Sequence, residues 1–301
     1  MEIRLPLVSP FETSFGVEDV KEAVVVAIKK NGVIAYGECV AARGPWYNEE
    51  TIASAKYIIK QLLAPIILKE EFESPASFIK RTRAIRGNNM AVATIEMALW
   101  DLLGKLKNQS VSKLLGGERE EVQVGVSIGI QPTINDLLDK VASYLNDGYK
   151  RIKIKIKPGY DLEPVKEIRK RYPNILLQVD ANSAYSFLDI NILKELDKFN
   201  LLLIEQPLAH DDIFDHSKLQ KLLRTSICLD ESIHTVEDAR KAIEIEACRI
   251  INIKPGRMRG LDCSRHLQDL CREHQIPVWC GGMLETGIGR AFNVALASLP
   301  G

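Results

Sequence analysis

The runs RIKIKIK (151–157), ILLQVD (175–180), LLLIEQP (201–207), ICLDES (227–232) and RIINIKPG (249–256) decide the fold. Each is short and built on apolar residues, and at or near its end each supplies a member of one charged series: Lys155, Asp180, Glu205, Asp230 and Lys254. The spacing is nearly constant, since 180−155, 205−180 and 230−205 each give 25 and 254−230 gives 24. A step of about 25 residues holds one strand, one helix and two short connections. In a parallel (β/α) barrel the side chains at the C-terminal strand ends converge on one mouth. Three carboxylates gathered there with a lysine on either side form an oxygen cage suited to Mg²⁺, with Mn²⁺ as a substitute, flanked by two candidate bases.

The alternation extends in both directions. VQVGVSIGI (122–130) reads as a strand before the five, followed by a helix from about Ile134 to Asn146. IPVWCGGM (276–283) reads as a strand after them, with a helix over Glu285–Ser298. Continuous apolar strands alternating with helices imply a parallel sheet covered on both faces. Seven βα units predict an α/β fold of the (β/α)7β TIM-like type over residues 121–301. Closure needs an eighth strand, and none is legible before Gly301, so the C-terminal part of the barrel is expected to be missing.

Residues 1–120 follow another rule. EAVVVAIKK (22–30) and GVIAYGECV (32–40) meet at Asn31-Gly32, a strong hairpin signal. Residues 49–70 and 75–86 have helical spacing, and MAVATIEMALWDLLGKLKNQSV (90–111) is an amphipathic helix. A meander followed by helices predicts an α+β capping domain over 1–120, ending at Gly116-Gly117.

Bulk properties narrow the function classes. Forty Lys+Arg balance forty Asp+Glu, and no basic stripe interleaved with aromatics is present, which argues against nucleic-acid or membrane-surface binding. No apolar run reaches membrane-spanning length, and MEIRLPLVSPF (1–11) lacks a signal-peptide core, so a cytoplasmic protein is expected. The six scattered cysteines suit reduced thiols, and the five histidines form no ligand spacing.

Each acid alone could cap a helix. Three in register on consecutive strands call for a cation, because a buried carboxylate is unstable unless paired or metal-bound. In RIKIKIK, Lys153, Lys155 and Lys157 share one face and Ile152, Ile154 and Ile156 the other, and either face could be the inner one. Removing a hydrogen α to a carboxylate generates an enediolate, which a metal stabilises as its charge develops. The base must be neutral, so burial and a neighbouring cation are needed to lower a lysine pKa: Lys153 beside Lys155, and Arg257 three residues after Lys254.

These residues resemble those of the enolase superfamily, whose sites use a Lys or His base with Mg²⁺. The K-x-K pair and the later lysine resemble the muconate-lactonising-enzyme branch. PLVSPFETSFG (6–16), LLQVDANSAY (176–185), NIKPGR (252–257) and IPVWCGGMLETGIGRAFNVALASLP (276–300) look like its o-succinylbenzoate synthase/N-acylamino acid racemase group. The resemblance implies that Asp180, Glu205 and Asp230 bind Mg²⁺ and that Lys155 and Lys254 act as acid and base on opposite faces of the α-carbon. Lys153 and Asn182 would support the bound carboxylate, with Ser127 near the substrate and Glu231 behind the metal. Gly282 and Met283 would line the pocket, and loops from Phe11 to Phe15 and from Ala42 to Tyr47 would close over it. A small-molecule carboxylate is the implied substrate, and a homo-oligomer is expected because barrels of this size commonly associate. Dipeptide epimerase, a muconate cycloisomerase-like enzyme and a non-catalytic carboxylate-binding barrel are the alternatives. Arg259 departs from the group, which shows glycine there, and is expected to add only a surface charge.

Overall fold

The computed structural model describes residues 1–300. Three antiparallel strands open the chain: β1 (Glu2–Thr13), β2 (Gly16–Lys30) and β3 (Val33–Cys39), in the order β1-β2-β3. Helices α1 (Ile52–Ile58), α2 (Ala64–Lys69), α3 (Pro75–Arg81), α4 (Asn89–Lys107) and α5 (Val111–Leu115) follow, α1 and α2 being joined by a π-helical turn. The first half of α4 is buried throughout, from Asn89 to Ala98. It lies so close to β3 that a Cβ on Gly37 would stand 1.9 Å from the Thr94 carbonyl oxygen. Only glycine permits that approach.

Strand and helix then alternate: β4 (Val126–Ile128), α6 (Ile134–Asn146), β5 (Arg151–Lys155), α7 (Leu162–Arg171), β6 (Leu176–Asp180), α8 (Ile190–Leu196), β7 (Ile204–Glu205) and α9 (Ile213–Leu222). After them come β8 (Ile227–Leu229), α10 (Val236–Glu244), β9 (Ile250–Ile253), α11 (Leu261–Glu273), β10 (Val278–Cys280) and α12 (Gly287–Ala297). All neighbours are parallel, in the order β10-β9-β8-β7-β6-β5-β4. Register aligns Lys155 with Asp180 and Asp180 with Glu205.

The sheet curls. Trp279 of β10 crosses its interior to stand 5.1 Å from the Arg151 guanidinium and 4.8 Å from the Lys153 ammonium of β5. Among the described residues β4 and β10 do not pair, so the result is an open, incomplete TIM-like barrel under an N-terminal capping sheet. Ile152, Ile154 and Ile156 are fully buried in the large core beneath the helices, which leaves Lys153 and Lys155 on the inner face. A smaller core fills the space between the capping sheet and its helices.

β1 is the element the sequence hid. Pro6 and Pro10 interrupt its pattern, its register against β2 shifts between Pro6 and Phe11, and most of its side chains face solvent. The strand expected over 122–130 is short, confined to Val126–Ile128.

Three capping-region carboxylates fasten the two parts together or stiffen the capping side. Glu50 accepts from the Met90 and Ala91 amides at the start of α4, each at 2.7 Å. Glu96 of α4 accepts from the Leu261 and Asp262 amides of α11, each at 2.9 Å. Glu38 of β3 accepts from the amides of Thr286, the N-cap of α12, and of Gly289 in its first turn at 2.9 and 2.8 Å. Each carboxylate satisfies amides that have no partner within their helix and sits at the positive end of its dipole.

Candidate active site

Strand ends bring the expected charges together. Lys153 Nζ lies 2.8 Å from both Asp180 Oδ2 and Glu205 Oε2. Lys155 Nζ is 2.7 Å from Asp180 Oδ2 and 2.6 Å from Asn182 Oδ1. Lys254 Nζ is 2.6 Å from Asp230 Oδ2, and Arg257 pairs with Asp230 Oδ1. Asn182 donates from Nδ2 to Glu231 Oε1 at 2.8 Å, while Glu231 Oε2 is buried with no hydrogen-bond partner. Four cations, Lys153, Lys155, Lys254 and Arg257, therefore face four acids, Asp180, Glu205, Asp230 and Glu231.

Proton affinities follow from this pairing. Burial pushes the Asp180 carboxyl up, but Lys153 and Lys155 outweigh it and hold the group well below its usual range. Asp230 is likewise lowered, burial being outweighed by Lys254 and Arg257. Glu205 is pushed up to about 6 by burial and by Asp180. Glu231 rises to about 8 through burial and Asp230. Lys254 corrects an expectation: burial and Arg257 do pull its pKa down, but Asp230 outweighs them and the net shift is well upward.

Two contributions come from the capping region. The Tyr47 hydroxyl donates to Asp230 Oδ1 at 3.1 Å and accepts from Arg257 at 3.0 Å and from Lys254 at 3.3 Å. Lys254 Nζ also stands 4.6 Å from the Tyr47 ring centroid, within cation–π range. Phe11 is 5.9 Å from Lys155 Nζ. Phe15 stands apart, 44% exposed in the β1–β2 turn, where the neighbouring Ser14 hydroxyl donates to the Asn182 carbonyl at 3.2 Å.

A cavity of about 990 Å³ runs from Lys153, Lys155 and Lys254 along the open side between β4 and β10. Ser127 and Gly282 line it with Phe11, Gln178 and Leu284. Ser127 Oγ and Gln178 Oε1 are buried polar atoms without partners. Met283 turns from it to pack on the capping core.

Sequence reasoning passed over Asn252, Gln206 and Trp279. Asn252 Nδ2 donates to Glu205 Oε1 at 2.7 Å. Gln206 Oε1 accepts from the Asp230 and Ser232 amides at 3.0 and 3.3 Å. Trp279 Nε1 donates to Cys228 Sγ at 3.3 Å. Asn252 was within reach of the period-two rule, because it precedes Lys254 by two on β9 as Lys153 precedes Lys155 on β5.

The acids suit a hard divalent cation by donor type, all oxygen and all from adjacent strand ends. Among the described residues no three acidic, histidine or cysteine side chains converge at metal-ligand spacing. Their oxygens turn instead to nitrogen donors, and the Lys153 ammonium already occupies a cation position shared by Asp180 and Glu205. The residues fit a cation in chemistry and placement, in competition with the lysines.

Comparison with known proteins agrees with this geometry. Residues 136–301 match the family described as enolase C-terminal domain-like, and residues 2–116 the mandelate racemase/muconate lactonizing enzyme N-terminal domain. The chain belongs to the enolase superfamily, in its muconate-lactonising branch, and it is an enzyme. More narrowly, it stands close to two named kinds of relative. It is 49% identical over 298 residues to the o-succinylbenzoate synthase of Geobacillus stearothermophilus, covering 99% of this chain and 80% of that one. It is 46% identical over 299 residues to the N-succinylamino acid racemase of Thermus thermophilus, covering 99% and 81%. A crystal structure of an enolase-superfamily member from Listeria innocua superposes with a TM-score of 0.95 at 42% identity, covering 99% of this chain and 81% of that one. No helix among the described residues is long and apolar enough to cross a membrane.

Proposed function

We propose that this enzyme removes the proton α to the carboxylate of a small molecule, acting as an o-succinylbenzoate synthase, an N-acylamino acid racemase, or both. One observation carries the reading: Lys155 and Lys254, delivered by strands on either side of the acid cage, open onto one cavity. We take residues 1–120 as the capping domain and 121–301 as the catalytic domain of a cytoplasmic homo-oligomer.

Asp180, Glu205 and Asp230 would hold Mg²⁺, or Mn²⁺ in its place. When bound, the cation supplies electrostatic stabilisation of the two enediolate oxygens. Everything else falls to the chain. An ammonium cannot accept a proton, so one lysine must enter the reaction neutral while the other is charged. For Lys254 the counter-ion is what raises the proton affinity, so Asp230 turning away from it would lower that affinity. In racemisation one lysine takes the α-proton and the other delivers a proton to the opposite face. In dehydration Lys155 takes the α-proton and returns it to the departing hydroxide, while Lys254 remains a cation facing the enediolate. Ser127 Oγ and Gln178 Oε1, buried without partners on the cavity wall, are positioned to hydrogen-bond polar parts of the substrate.

The test follows α-proton exchange and optical rotation with N-succinyl-L-phenylalanine and Mg²⁺ in deuterated water, with the synthase substrate in parallel. Exchange should disappear on chelation and return with Mg²⁺. Lys155→Ala and Lys254→Ala should each lower racemisation by about 10²–10⁴-fold, the range for a positioned acid or base. No exchange and no dehydration from a folded sample rejects the reading.

A further inference from the structure

We propose that Arg259 is a positioning residue for Lys254, tying the turn that carries this lysine to the capping helices. The expected surface charge is instead an arm reaching inward. Its Nη1 donates to the Ile85 carbonyl at 2.9 Å, to Asn89 Oδ1 at 3.3 Å and to the Gly87 carbonyl at 3.4 Å, and its Nη2 to the Thr82 carbonyl at 3.1 Å. Thr82, Ile85 and Gly87 lie in the connection between α3 and α4 and Asn89 opens α4, about 170 residues earlier, where the end of α3 leaves carbonyls without helical partners.

The backbone points the same way. Arg259 has φ +67°, a left-handed conformation that glycine adopts freely and a side chain resists. A non-glycine residue held there needs interactions that over-determine it, and the four acceptors supply them. The turn itself is short and closes on the lysine: the Met258 amide donates to the Lys254 carbonyl at 3.0 Å, and the Gly260 amide to the Pro255 carbonyl at 2.8 Å. Asn89 Nδ2 donates to the Arg257 carbonyl at 2.9 Å while its Oδ1 accepts from Arg259 at 3.3 Å, so one side chain at the start of α4 grips both Arg257 and Arg259. Glu50, which binds the amides next to Asn89, follows Tyr47 by three residues, and the Tyr47 hydroxyl contacts Lys254. The result is a closed circuit from Lys254 through Arg259, α4 and Glu50 to Tyr47 and back to Lys254. A merely structural strut would stabilise the fold without distinguishing the two lysines. A positioning residue must act on one of them.

Arg259→Gly removes the guanidinium and relieves the backbone, so the full chain is expected to fold, and Arg259→Lys keeps one donor group. Amide hydrogen exchange read by mass spectrometry is the first readout and needs no activity. The Met258 and Gly260 amides should exchange about tenfold faster in Arg259→Gly, with β5 around Lys155 within about twofold of wild type and Arg259→Lys between. The second readout rests on the proton-transfer reading above. α-Proton exchange should fall about tenfold for the enantiomer whose exchange Lys254→Ala abolishes and change less than about twofold for the other, as displacement of one catalytic group predicts. An unchanged turn, equal acceleration of β5 and β9, or equal loss for both enantiomers overturns the proposal. If wild type exchanges neither enantiomer, the functional reading fails by itself and amide exchange alone decides the role of Arg259.

Discussion

Lys155 and Lys254 open onto the same cavity, but different parts of the molecule hold them. Lys155 is fixed by Asp180 and Asn182, both from the neighbouring strand end, and its capping-region neighbour is the Phe11 ring, with Ser14 bonding the Asn182 carbonyl behind it. Lys254 is fixed by Asp230 in the barrel and by Tyr47 from 207 residues away, with Arg257 bonded to the same two partners. One half of the site is therefore built into the sheet, and the other is assembled across the capping contact. Chemistry at the first face should persist when the cap is disturbed, and chemistry at the second should not.

The largest effect expected from this difference is on stability. Arg257 is fully buried, and Asp230 is the carboxylate paired with both Arg257 and Lys254. Asp230→Asn should therefore destabilise by about 3–5 kcal/mol, the loss seen when one partner leaves a buried pair. Asp180→Asn leaves Lys153 paired with Glu205 at 2.8 Å and Lys155 bonded to Asn182, so its loss should be nearer the ~1–3 kcal/mol of an imperfectly satisfied buried group. Urea unfolding with chelator present compares the two. Equal losses would mean that the halves are not separately anchored.

A smaller and more selective effect is expected of Tyr47→Phe. The ring and its packing remain, while Lys254, Arg257 and Asp230 lose a shared hydroxyl. Exchange at the Lys254 face should fall about tenfold, equivalent to ~1.4 kcal/mol, with the Lys155 face unchanged. A symmetric loss would make Tyr47 a general support of the cage.

The same contrast explains what the sequence disclosed. Asp180, Glu205, Asp230 and both lysines are legible because period and strand position fix them locally, the step repeating once per βα unit. The isoleucine and lysine faces of β5 could not be told apart locally, since the choice depends on which face meets the helices. Tyr47 was reached by resemblance only. Glu38, Glu50 and Glu96 left no pattern at all, and Arg259 stood out only as a departure from the resembled group, its role misread as a surface charge: each acts on backbone groups distant in sequence or in an unpredictable turn, and a side chain that accepts from or donates to backbone demands nothing of the sequence at the other end. β1 was missed because two prolines and solvent exposure erase the alternation that marks a strand.

The smallest effect concerns the corner where the two halves meet. Glu205 takes a hydrogen bond from Lys153 on one side and from Asn252 on the other. The segment just after it is set by His216, whose Nε2 accepts from the Leu208 amide at 3.1 Å while Nδ1–H donates to the Asp212 carbonyl. Both nitrogens are thus committed in the neutral tautomer, and a second proton would turn Nε2 into a donor facing a donor. Burial accordingly pulls the His216 pKa below its ordinary 6.5. A lowered folded-state pKa means that near and below pH 6.5 the unfolded chain binds more protons than the native one. This contribution is present above that pH and is lost as the pH falls. His216→Gln, which keeps an acceptor but cannot titrate, should lose about 1 kcal/mol at pH 7.5 and show a shallower decline than wild type on acidification to pH 5. Parallel decline in the two proteins would remove His216 as the titrating group. Because the corner belongs to both halves, the acid loss it causes should reduce exchange of the two enantiomers alike, unlike the changes at Tyr47 or Arg259.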